Sequence, residues 1–526
     1  MCGLIFCYKT SVDEKVFKKA LSSLSHRGPD DERLKNLDKV YLGFSRLAIM
    51  DLSHNGDQPF EFNHTYFLCN GEIYNHQKLR AKYSSYQYKS QSDCEVLIPM
   101  FFNTDARKML NELDGEFSFV IYDETKETLF AARDPIGIRP LFYGITKDDK
   151  IAFASEVKAL QNFCKEVYAF PPGCYYLNGK FNSYTDLTHV DEFIEEDLDQ
   201  IGETINKLLT DAVEKRLNAD APVGFLLSGG LDSSLVCTIA QKKSKSPIKT
   251  FAIGMSEDAI DLKYAKEVAD YIGSDHTEVI ITPKDVLDVL SDVIYSLETY
   301  DITTIRASIG MYLVCKYIKE QTNIKVLLTG EVSDEIFGYK YTDFAPNPFE
   351  FQAEAAKRVR ELYMYDVLRA DRCISAHSLE ARVPFSDKVF VEYVMRIDPK
   401  IKMNSYGHGK YLLRKSFEKG DYLPQSILYR EKAAFSDAVG HSLVEHIKTY
   451  AESLYSDKEL LIRSQKFKHA QPFTKESLLY REIFEKFYPN KSYLIRDFWM
   501  PNKSWKNCNV DDPSARVLPN YGMSGT

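Results

Sequence analysis

Residues 223–234 read Val-Gly-Phe-Leu-Leu-Ser-Gly-Gly-Leu-Asp-Ser-Ser, an apolar run that leads into two glycines and a polar turn. The apolar run is typical of a buried strand, and the residues behind the turn continue as a helix. Glycines after a strand let the backbone approach an anion, which the free N–H groups and the helix N-terminus then bind. The stretch therefore predicts a phosphate-binding loop, although it lacks the lysine of the G-x-x-x-x-G-K-[ST] pattern.

The chain around this loop alternates between strand-like and helical segments. Apolar strand-like runs occupy residues 223–227, 250–253, 277–281 and 325–328. This alternation predicts an α/β domain with a parallel sheet, which we place at residues 198–500. A helix is expected near 198–217, and another with one buried face is expected to span 359–374. Residues 501–526, rich in Asn, Pro, Ser and Gly, are expected to form a loosely packed tail.

The first part of the chain, residues 2–185, has a different pattern of predicted secondary structure. Short alternating or apolar runs occur at residues 40–44, 66–68, 116–122, 128–132 and 141–144. Turns containing Gly, Pro, Asn and Asp separate these runs. Short runs separated by turns indicate many strands and few helices. The sequence therefore predicts a layered, β-rich α+β domain in front of the α/β domain.

Composition excludes several classes of function. The formal charge of −9 argues against nucleic-acid binding, which needs a basic surface. The ten cysteines are scattered, as is usual for free thiols in a reducing compartment, and the histidines form no transition-metal motif. No stretch has the length of a signal sequence or a membrane span. We therefore expect a cytoplasmic protein that binds neither membrane nor nucleic acid.

Cys2 directly follows the initiator methionine. Removal of Met1 would place an α-amine, with a reference pKa of about 7.7, beside a thiol with a reference pKa of about 8.5. One residue can then supply both the nucleophile and the general base.

Four stretches extend this pattern: residues 45–50, 70–75, 92–95 and 114–115. Together with Cys2 they resemble the class II glutamine amidotransferases, whose fold has an N-terminal nucleophile. A guanidinium can grip a carboxylate in a bidentate fork, and a side-chain amide with a backbone N–H can hold an oxyanion. The resemblance implies that Cys2, Asn70 and Gly71 are catalytic. It also implies a glutamine-binding set of Arg46, Leu47, Ala48, Ile49, Met50, Asn70, Gly71, Glu72 and Asp93.

In the second domain, residues 228–234 resemble the pyrophosphate loop of enzymes that cleave ATP between the α and β phosphates. A second polar cluster, residues 329–335, follows the strand at 325–328. Carboxylates at the carboxyl ends of neighbouring strands, such as Asp232 and Asp334, are suited to share Mg²⁺ bound to pyrophosphate.

The stretches at 298–308 and 378–385 extend a resemblance to the glutamine-dependent asparagine synthetases over about residues 2–500. That family implies an ATP site formed by Leu227, Ser228, Gly229, Gly230, Asp232, Ser233, Ile253, Thr329, Gly330 and Asp334. It implies catalytic roles for Glu331 and Lys432, with a solvated lysine as the alternative for Lys432. Arg306 would lie near the acceptor site or pair with an acidic residue instead, and Arg382 is expected in a buried ion pair.

The resemblance implies the substrates glutamine, aspartate and ATP, with Mg²⁺, and a β-aspartyl-AMP intermediate. Two alternatives remain open: a related synthetase that acts on another carboxylate, and a catalytically silent scaffold paralogue. The sequence leaves the oligomeric state open, with a homodimer as one alternative.

Val332 departs from the family, which usually carries glycine at this point of the catalytic loop. A β-branched residue is disfavoured at positive φ. We therefore expect Val332 at negative φ, with its side chain directed away from the phosphates, and an active enzyme. A positive φ would favour the silent paralogue.

Overall fold

The computed structural model describes residues 1–255, 259–431 and 441–521. The chain forms two sheet-based halves that meet across a buried interface. Within the described residues, no helix combines the length and apolar character needed to cross a bilayer.

The strands of the first half agree with the predicted runs. In chain order they are β1 (Gly3–Cys7), β2 (Asp31–Leu37), β3 (Val40–Arg46), β4 (Phe60–Phe62), β5 (Thr65–Ile73), β6 (Gly115–Asp123), β7 (Thr128–Arg133), β8 (Phe142–Thr146), β9 (Ile151–Ala154), β10 (Cys164–Ala169), β11 (Cys174–Leu177) and β12 (Lys180–Ser183).

These strands form two six-stranded antiparallel sheets, ordered β10-β8-β9-β1-β3-β2 and β12-β11-β7-β6-β5-β4. Alternate residues of each strand point to opposite faces. Leu4 and Phe6 of β1 thus meet Leu68 of β5 in a core between the sheets. Neighbouring residues on the outer faces pack against the helices α1 (Glu14–Ser22), α2 (His76–Lys82), α3 (Leu97–Asn103), α4 (Ala106–Glu112) and α5 (Val157–Leu160). The predicted layered α+β fold is confirmed.

The second half is built on a five-stranded parallel sheet in the order β15-β14-β13-β16-β17. Its strands are β13 (Val223–Leu226), β14 (Lys249–Met255), β15 (Asp275–Ile281), β16 (Val326–Leu328) and β17 (Glu380–Arg382). The chain moves outward from β13 first to one side and then to the other. Ligands bind at the carboxyl ends of strands where the order reverses in this way. The predicted parallel sheet is confirmed, and the phosphate loop follows its switch-point strand.

Helices cover both faces of this sheet. They are α6 (Leu198–Arg216), α7 (Leu231–Lys243), α8 (Ile260–Ile272), α9 (Pro283–Asp288), α10 (Leu290–Leu297), α11 (Ile302–Gln321), α12 (Ser333–Phe337), α13 (Pro348–Glu361), α14 (Asp366–Ser375), α15 (Lys388–Arg396), α16 (Pro399–Lys402), α17 (Tyr411–Ser416), α18 (Gln425–Leu428), α19 (His441–Leu454), α20 (Asp457–Ser464) and α21 (Lys475–Phe487). The predicted helix near 198–217 corresponds to α6, whose N-terminus is capped by Asp197.

The expected single helix over 359–374 is wrong, because the chain breaks between α13 and α14. Tyr365 has φ −128° and ψ −96°, outside the helical region. Its hydroxyl donates to the carbonyl of Asp497 at 3.0 Å. The break starts a new helix whose first turn carries Asp366 and Arg369 into a cavity at the carboxyl ends of β13, β14 and β16.

The expectation of a loosely packed C-terminal tail is also wrong for residues 501–521. Trp505, Cys508 and Leu518 are buried in a cluster with Tyr341 and Phe351. Apolar burial of this kind stabilises a segment that has little regular secondary structure. The domain boundaries at 185, 198 and 500 remain a prediction.

Candidate active sites

Cys2 immediately precedes β1 and lies beside the loop that follows β3. Its Sγ is 3.4 Å from the backbone nitrogen of Leu47, which donates to it. Its own backbone N–H donates to Oδ1 of Asn70 at 3.0 Å. Burial raises the pKa of the thiol to about 11 while Met1 precedes it, so the thiol is protonated at neutral pH. A base beside the sulfur is therefore needed for nucleophilic attack.

Asn70 presents a donor toward the same space. Its Nδ2 is buried and has no hydrogen-bond partner among the described residues, while its Oδ1 accepts from Cys2. A buried unpaired donor costs free energy, and a developing oxyanion would satisfy it. Gly71 pairs with Phe117 of β6, and a Cβ at Gly71 would lie 2.4 Å from the carbonyl oxygen of Glu116. The glycine is thus required by strand packing, whatever its catalytic part.

Arg46 lies at the end of β3 and is held by the loop it precedes. Its Nη1 donates to the carbonyl of Ser53 at 2.7 Å and to Oδ1 of Asp57 at 2.6 Å. Its Nη2 donates to the carbonyls of Met50 and Asp51. These contacts fix the predicted glutamine-binding loop, residues 47–50. The predicted grip of Arg46 on a substrate carboxylate remains a prediction.

Asp93 and Glu72 are buried close to each other. Asp93 accepts from the backbone N–H of Ile73 at 2.6 Å, and Glu72 pairs with Arg382 at 3.0 Å. Burial raises the pKa of both carboxyls, and the charge of Asp93 raises the pKa of Glu72 further. A bound ammonium group would relieve this repulsion, as the predicted role of Asp93 requires. Arg382 also pairs with Glu380 at 2.9 Å, which confirms its predicted buried ion pair.

The second candidate site is a cavity of about 550 Å³ at the carboxyl ends of β13, β14 and β16. Its walls include most of the residues predicted to bind ATP, namely Leu227, Ser228, Gly230, Asp232, Ser233, Ile253, Thr329, Gly330 and Asp334. The predicted residues Glu331 and Arg306 line it too. Gly229 stands apart from this lining and packs against the α8 backbone, with φ +69°. The cavity therefore brings together loops that are about 100 residues apart in the chain.

The loop after β13 has the features of a phosphate site. Ser233 Oγ accepts from the Ser228 N–H at 3.2 Å, which closes the turn. A Cβ at Gly330 would lie 2.8 Å from the Ser233 nitrogen, so the two loops touch only because residue 330 is glycine. Thr329 Oγ1 is buried without a hydrogen-bond partner among the described residues. The backbone is thus arranged for a ligand with many acceptors.

Lys410 joins the two predicted metal-binding carboxylates. Its Nζ lies 2.8 Å from Oδ1 of Asp232 and 2.5 Å from Oδ1 of Asp334. Ser333 donates to Asp232 at 2.7 Å and accepts from Lys410 at 3.0 Å. Lys410 is not indicated by the sequence, because no motif surrounds it. The only local signal is the glycine pair at 407 and 409.

Glu331 belongs to the loop at residues 329–335, which also carries Asp334. Its Oε2 accepts from Nη2 of Arg369 at 2.7 Å, and Arg369 also pairs with Asp366 at 2.7 Å. Arg306 in α11 is bonded to Glu476 at 2.6 and 2.8 Å and to Asp512 at 2.9 and 3.3 Å. These contacts use four of the five N–H groups of the Arg306 guanidinium. The predicted alternative for this arginine, an acidic partner, is what the structure shows.

Val332 is at positive φ, so the prediction of negative φ is wrong. The residue has φ 81° and ψ −23° and is 2% exposed. Its carbonyl accepts from the N–H of Glu335 at 3.2 Å, which starts α12. Its side chain packs with Ile336 and Phe337 in the apolar core. Burial worth about 1.5–3 kcal/mol offsets a backbone strain of about 1–3 kcal/mol, so the positive φ by itself does not identify a silent paralogue.

Lys432 lies outside the described residues, so its catalytic role remains a prediction. The two residues before it are described. Arg430 donates to the carbonyl of Gly229 at 3.0 Å and pairs with Asp261 at 3.0 Å. Glu431 pairs with Lys340 at 2.8 Å. The chain therefore approaches the phosphate loop immediately before Lys432.

Helix α14 runs between the two sites. Its first turns line the cavity of the second candidate site with Asp366 and Arg369. Further along, Asp371 bonds to Arg27 at 2.9 and 3.1 Å, and Arg27 Nε donates to the carbonyl of Cys2 at 2.8 Å. One rigid element thus reaches the neighbourhood of both predicted catalytic centres.

Comparisons with known proteins agree with this arrangement. The profile of the glutamine amidotransferase domain matches residues 1–172, and that of asparagine synthase matches residues 204–358 and 345–515. The probable glutamine-hydrolysing asparagine synthetase of Acanthamoeba polyphaga mimivirus is 40% identical to this chain. The match covers 99% of this chain and 100% of the viral protein. The glutamine-hydrolysing asparagine synthetase of Mus musculus is 39% identical over 99% of each chain.

Among solved structures, glutamine phosphoribosylpyrophosphate amidotransferase from B. subtilis covers 54% of this chain and 91% of its own, at 14% identity and a TM-score of 0.33. That likeness is too distant to carry an argument. The matches in sequence, by contrast, include both candidate sites. The chain therefore belongs to the family of glutamine-hydrolysing asparagine synthetases.

Proposed function

We propose that this protein is a glutamine-dependent asparagine synthetase. It converts ATP, aspartate, glutamine and water to asparagine, glutamate, AMP and pyrophosphate. The observation that carries the proposal is the match to curated relatives over 99% of the chain, because that span contains both candidate sites. The geometry of each site supports one half of the reaction.

At the first site the Cys2 thiol attacks the side-chain amide carbon of glutamine. Once Met1 is removed, the α-amine of Cys2 takes the thiol proton and passes it to the departing ammonia. The oxyanion that forms receives a hydrogen bond from Nδ2 of Asn70, with the Gly71 N–H as the proposed second donor. Arg46 and Asp93 bind the α-carboxylate and α-ammonium of the substrate. Water then releases glutamate from the thioester.

At the second site the β-carboxylate of aspartate attacks the α-phosphorus of ATP, and pyrophosphate leaves. This step converts a poor electrophile into an acyl-adenylate with AMP as leaving group. The loop at 228–233 and Lys410 bind the phosphates, and Lys432 is proposed to neutralise charge on the α-phosphate. Glu331 accepts a proton from the ammonia nitrogen as the amide forms.

The donor set fits Mg²⁺ as the accompanying ion. Asp232 and Asp334 offer carboxylate oxygens, the ligand type that Mg²⁺ prefers, and they already converge on the cation of Lys410. These two residues would hold the ion, which would neutralise charge on the pyrophosphate. Lys410 would then turn to the phosphate oxygens.

Ammonia must reach the adenylate unprotonated, since ammonium has no lone pair. We propose that it passes along α14, from the neighbourhood of Cys2 past Asp371 to Arg369 and Glu331. Burial of this helix excludes the water that would protonate or dilute the ammonia.

A panel of acceptor acids tests the proposal and separates the alternatives. With ATP and ammonium, we expect pyrophosphate release to require aspartate. Pyrophosphate release driven by another carboxylate would identify the related synthetase. If no acid in the panel drives pyrophosphate release, the protein is the silent paralogue.

A further inference from the structure

The C-terminal strap, defined as residues 510–521, forms one wall of the synthetase cavity. This is the cavity of the second candidate site, at the carboxyl ends of β13, β14 and β16. Its residues in the cavity lining are Pro513, Ser514, Ala515, Asn520 and Tyr521. Residues of the phosphate loop and Glu331 line the same cavity. A segment outside the parallel sheet thus completes the enclosure in which the proposed adenylate would form.

Asp512 fastens the first part of the strap. Its carboxylate bonds to Arg306 at 2.9 and 3.3 Å and pairs with Lys448 at 2.9 Å. Arg306 is itself held by Glu476 of α21. Hydrogen bonds from Arg306 and Lys448 keep the pKa of Asp512 well below its usual range despite partial burial. The strap is therefore tied to α11 by charge-assisted bonds.

Asn520 fastens the far end. Its Nδ2 donates to the carbonyl of Lys340 at 2.7 Å and to Oδ2 of Asp343 at 2.9 Å. Between the two ends, Ala515 and Leu518 are buried, and Leu518 packs against Tyr341. The strap is thus anchored at both ends over the cavity.

We propose that the strap shields the acyl-adenylate from water and that Asp512 is the positioning residue that holds it closed. This inference rests on the proposed function. In the side reaction that the strap would suppress, water attacks the β-carbonyl carbon of aspartyl-AMP. The new C–O bond forms with the water oxygen, and the bond from carbon to the phosphate oxygen breaks. Aspartate and AMP leave, and two protons pass to the solvent.

The test follows this reaction in H₂¹⁸O with the full-length protein, ATP and aspartate, without glutamine or ammonium. Adenylate hydrolysis places one ¹⁸O in the β-carboxylate of aspartate, and the rate of labelling is measured per unit of glutaminase activity of the same preparation. A charge-assisted hydrogen bond shifts an opening equilibrium by roughly tenfold, so Asp512→Asn should raise labelling by about that factor. Asp511→Asn is the matched control, since Asp511 is exposed and adjacent. Glutaminase activity should be unchanged in both.

Normalising to glutaminase activity, which is measured separately and belongs to the other site, corrects for partial unfolding. If Asp512→Asn does not fold, Asn520→Ala loosens the other end and should raise labelling in the same way. Labelling equal to that of Asp511→Asn would overturn the inference about the strap. A wild-type protein that makes no asparagine from ammonium would instead overturn the proposed function.

Discussion

The positive φ of Val332 predicts an unusual order of stability between two substitutions. Val332→Ala keeps the Cβ, and therefore the strain, but removes two buried methyl groups worth about 0.8 kcal/mol each. Val332→Gly removes the strain of about 1–3 kcal/mol. Against this, the freedom of glycine in the unfolded chain costs about 0.5–1 kcal/mol, and the loss of the buried Cβ costs about 0.8 kcal/mol. The glycine variant should therefore be more stable than the alanine variant by roughly 0.5 kcal/mol.

Thermal melting of the second half measures this difference. The relevant transition is the one that ATP raises, because a ligand stabilises the domain that binds it. A difference of 1 kcal/mol corresponds to a Tm difference of about 2–4 °C in a domain of 150–250 residues, and somewhat less in this larger half. The control is Lys207, an exposed residue in the middle of α6, where alanine should be more stable than glycine by about 1 kcal/mol. If alanine is also more stable than glycine at residue 332, the left-handed backbone conformation of Val332 is refuted.

Four further predictions concern the two sites and a buried lysine. Cys2→Ala should abolish asparagine formation with glutamine and spare it with ammonium, as amino-acid analysis will show; loss of both would contradict separate sites. Asp232→Asn and Asp334→Asn should each lower aspartate-dependent pyrophosphate release while glutaminase persists, and near-normal release would make that carboxylate structural. Glu331→Ala should stop asparagine formation, and an unaffected product yield would remove this residue from the site. Burial lowers the pKa of Lys402 to about 7 from 10.5, so folding releases its proton between these pH values. Stability should therefore rise with pH across that window, by about 1.4 kcal/mol per unit at most, and Lys402→Met should flatten the rise in melting temperature.

The sequence predicts features that depend on a short stretch of residues, such as the period of apolar residues or the residues of a turn. The phosphate loop at 228–233 and the cluster at 329–335 are expected to meet, because the carboxyl ends of parallel strands share one edge. The structure brings them together in one cavity. Asn70 and Cys2 likewise lie side by side, as their family motifs imply.

Other features depend on contacts that no local pattern reveals. Lys410 is 178 residues from Asp232 along the chain, and only the tertiary fold brings the two together. The strap has scattered apolar residues without a period, so its composition predicts loose packing although Leu518 is buried. At Val332, apolar packing outweighs the backbone preference on which the sequence prediction relies.

Transfer of labelled nitrogen tests the central claim most directly. The protein is supplied with ATP, aspartate and glutamine that carries ¹⁵N in its side-chain amide, and the products are measured by mass. We predict asparagine that carries the label, together with equal amounts of AMP and pyrophosphate. Glutamate without labelled asparagine, or no aspartate-dependent pyrophosphate, would contradict the account.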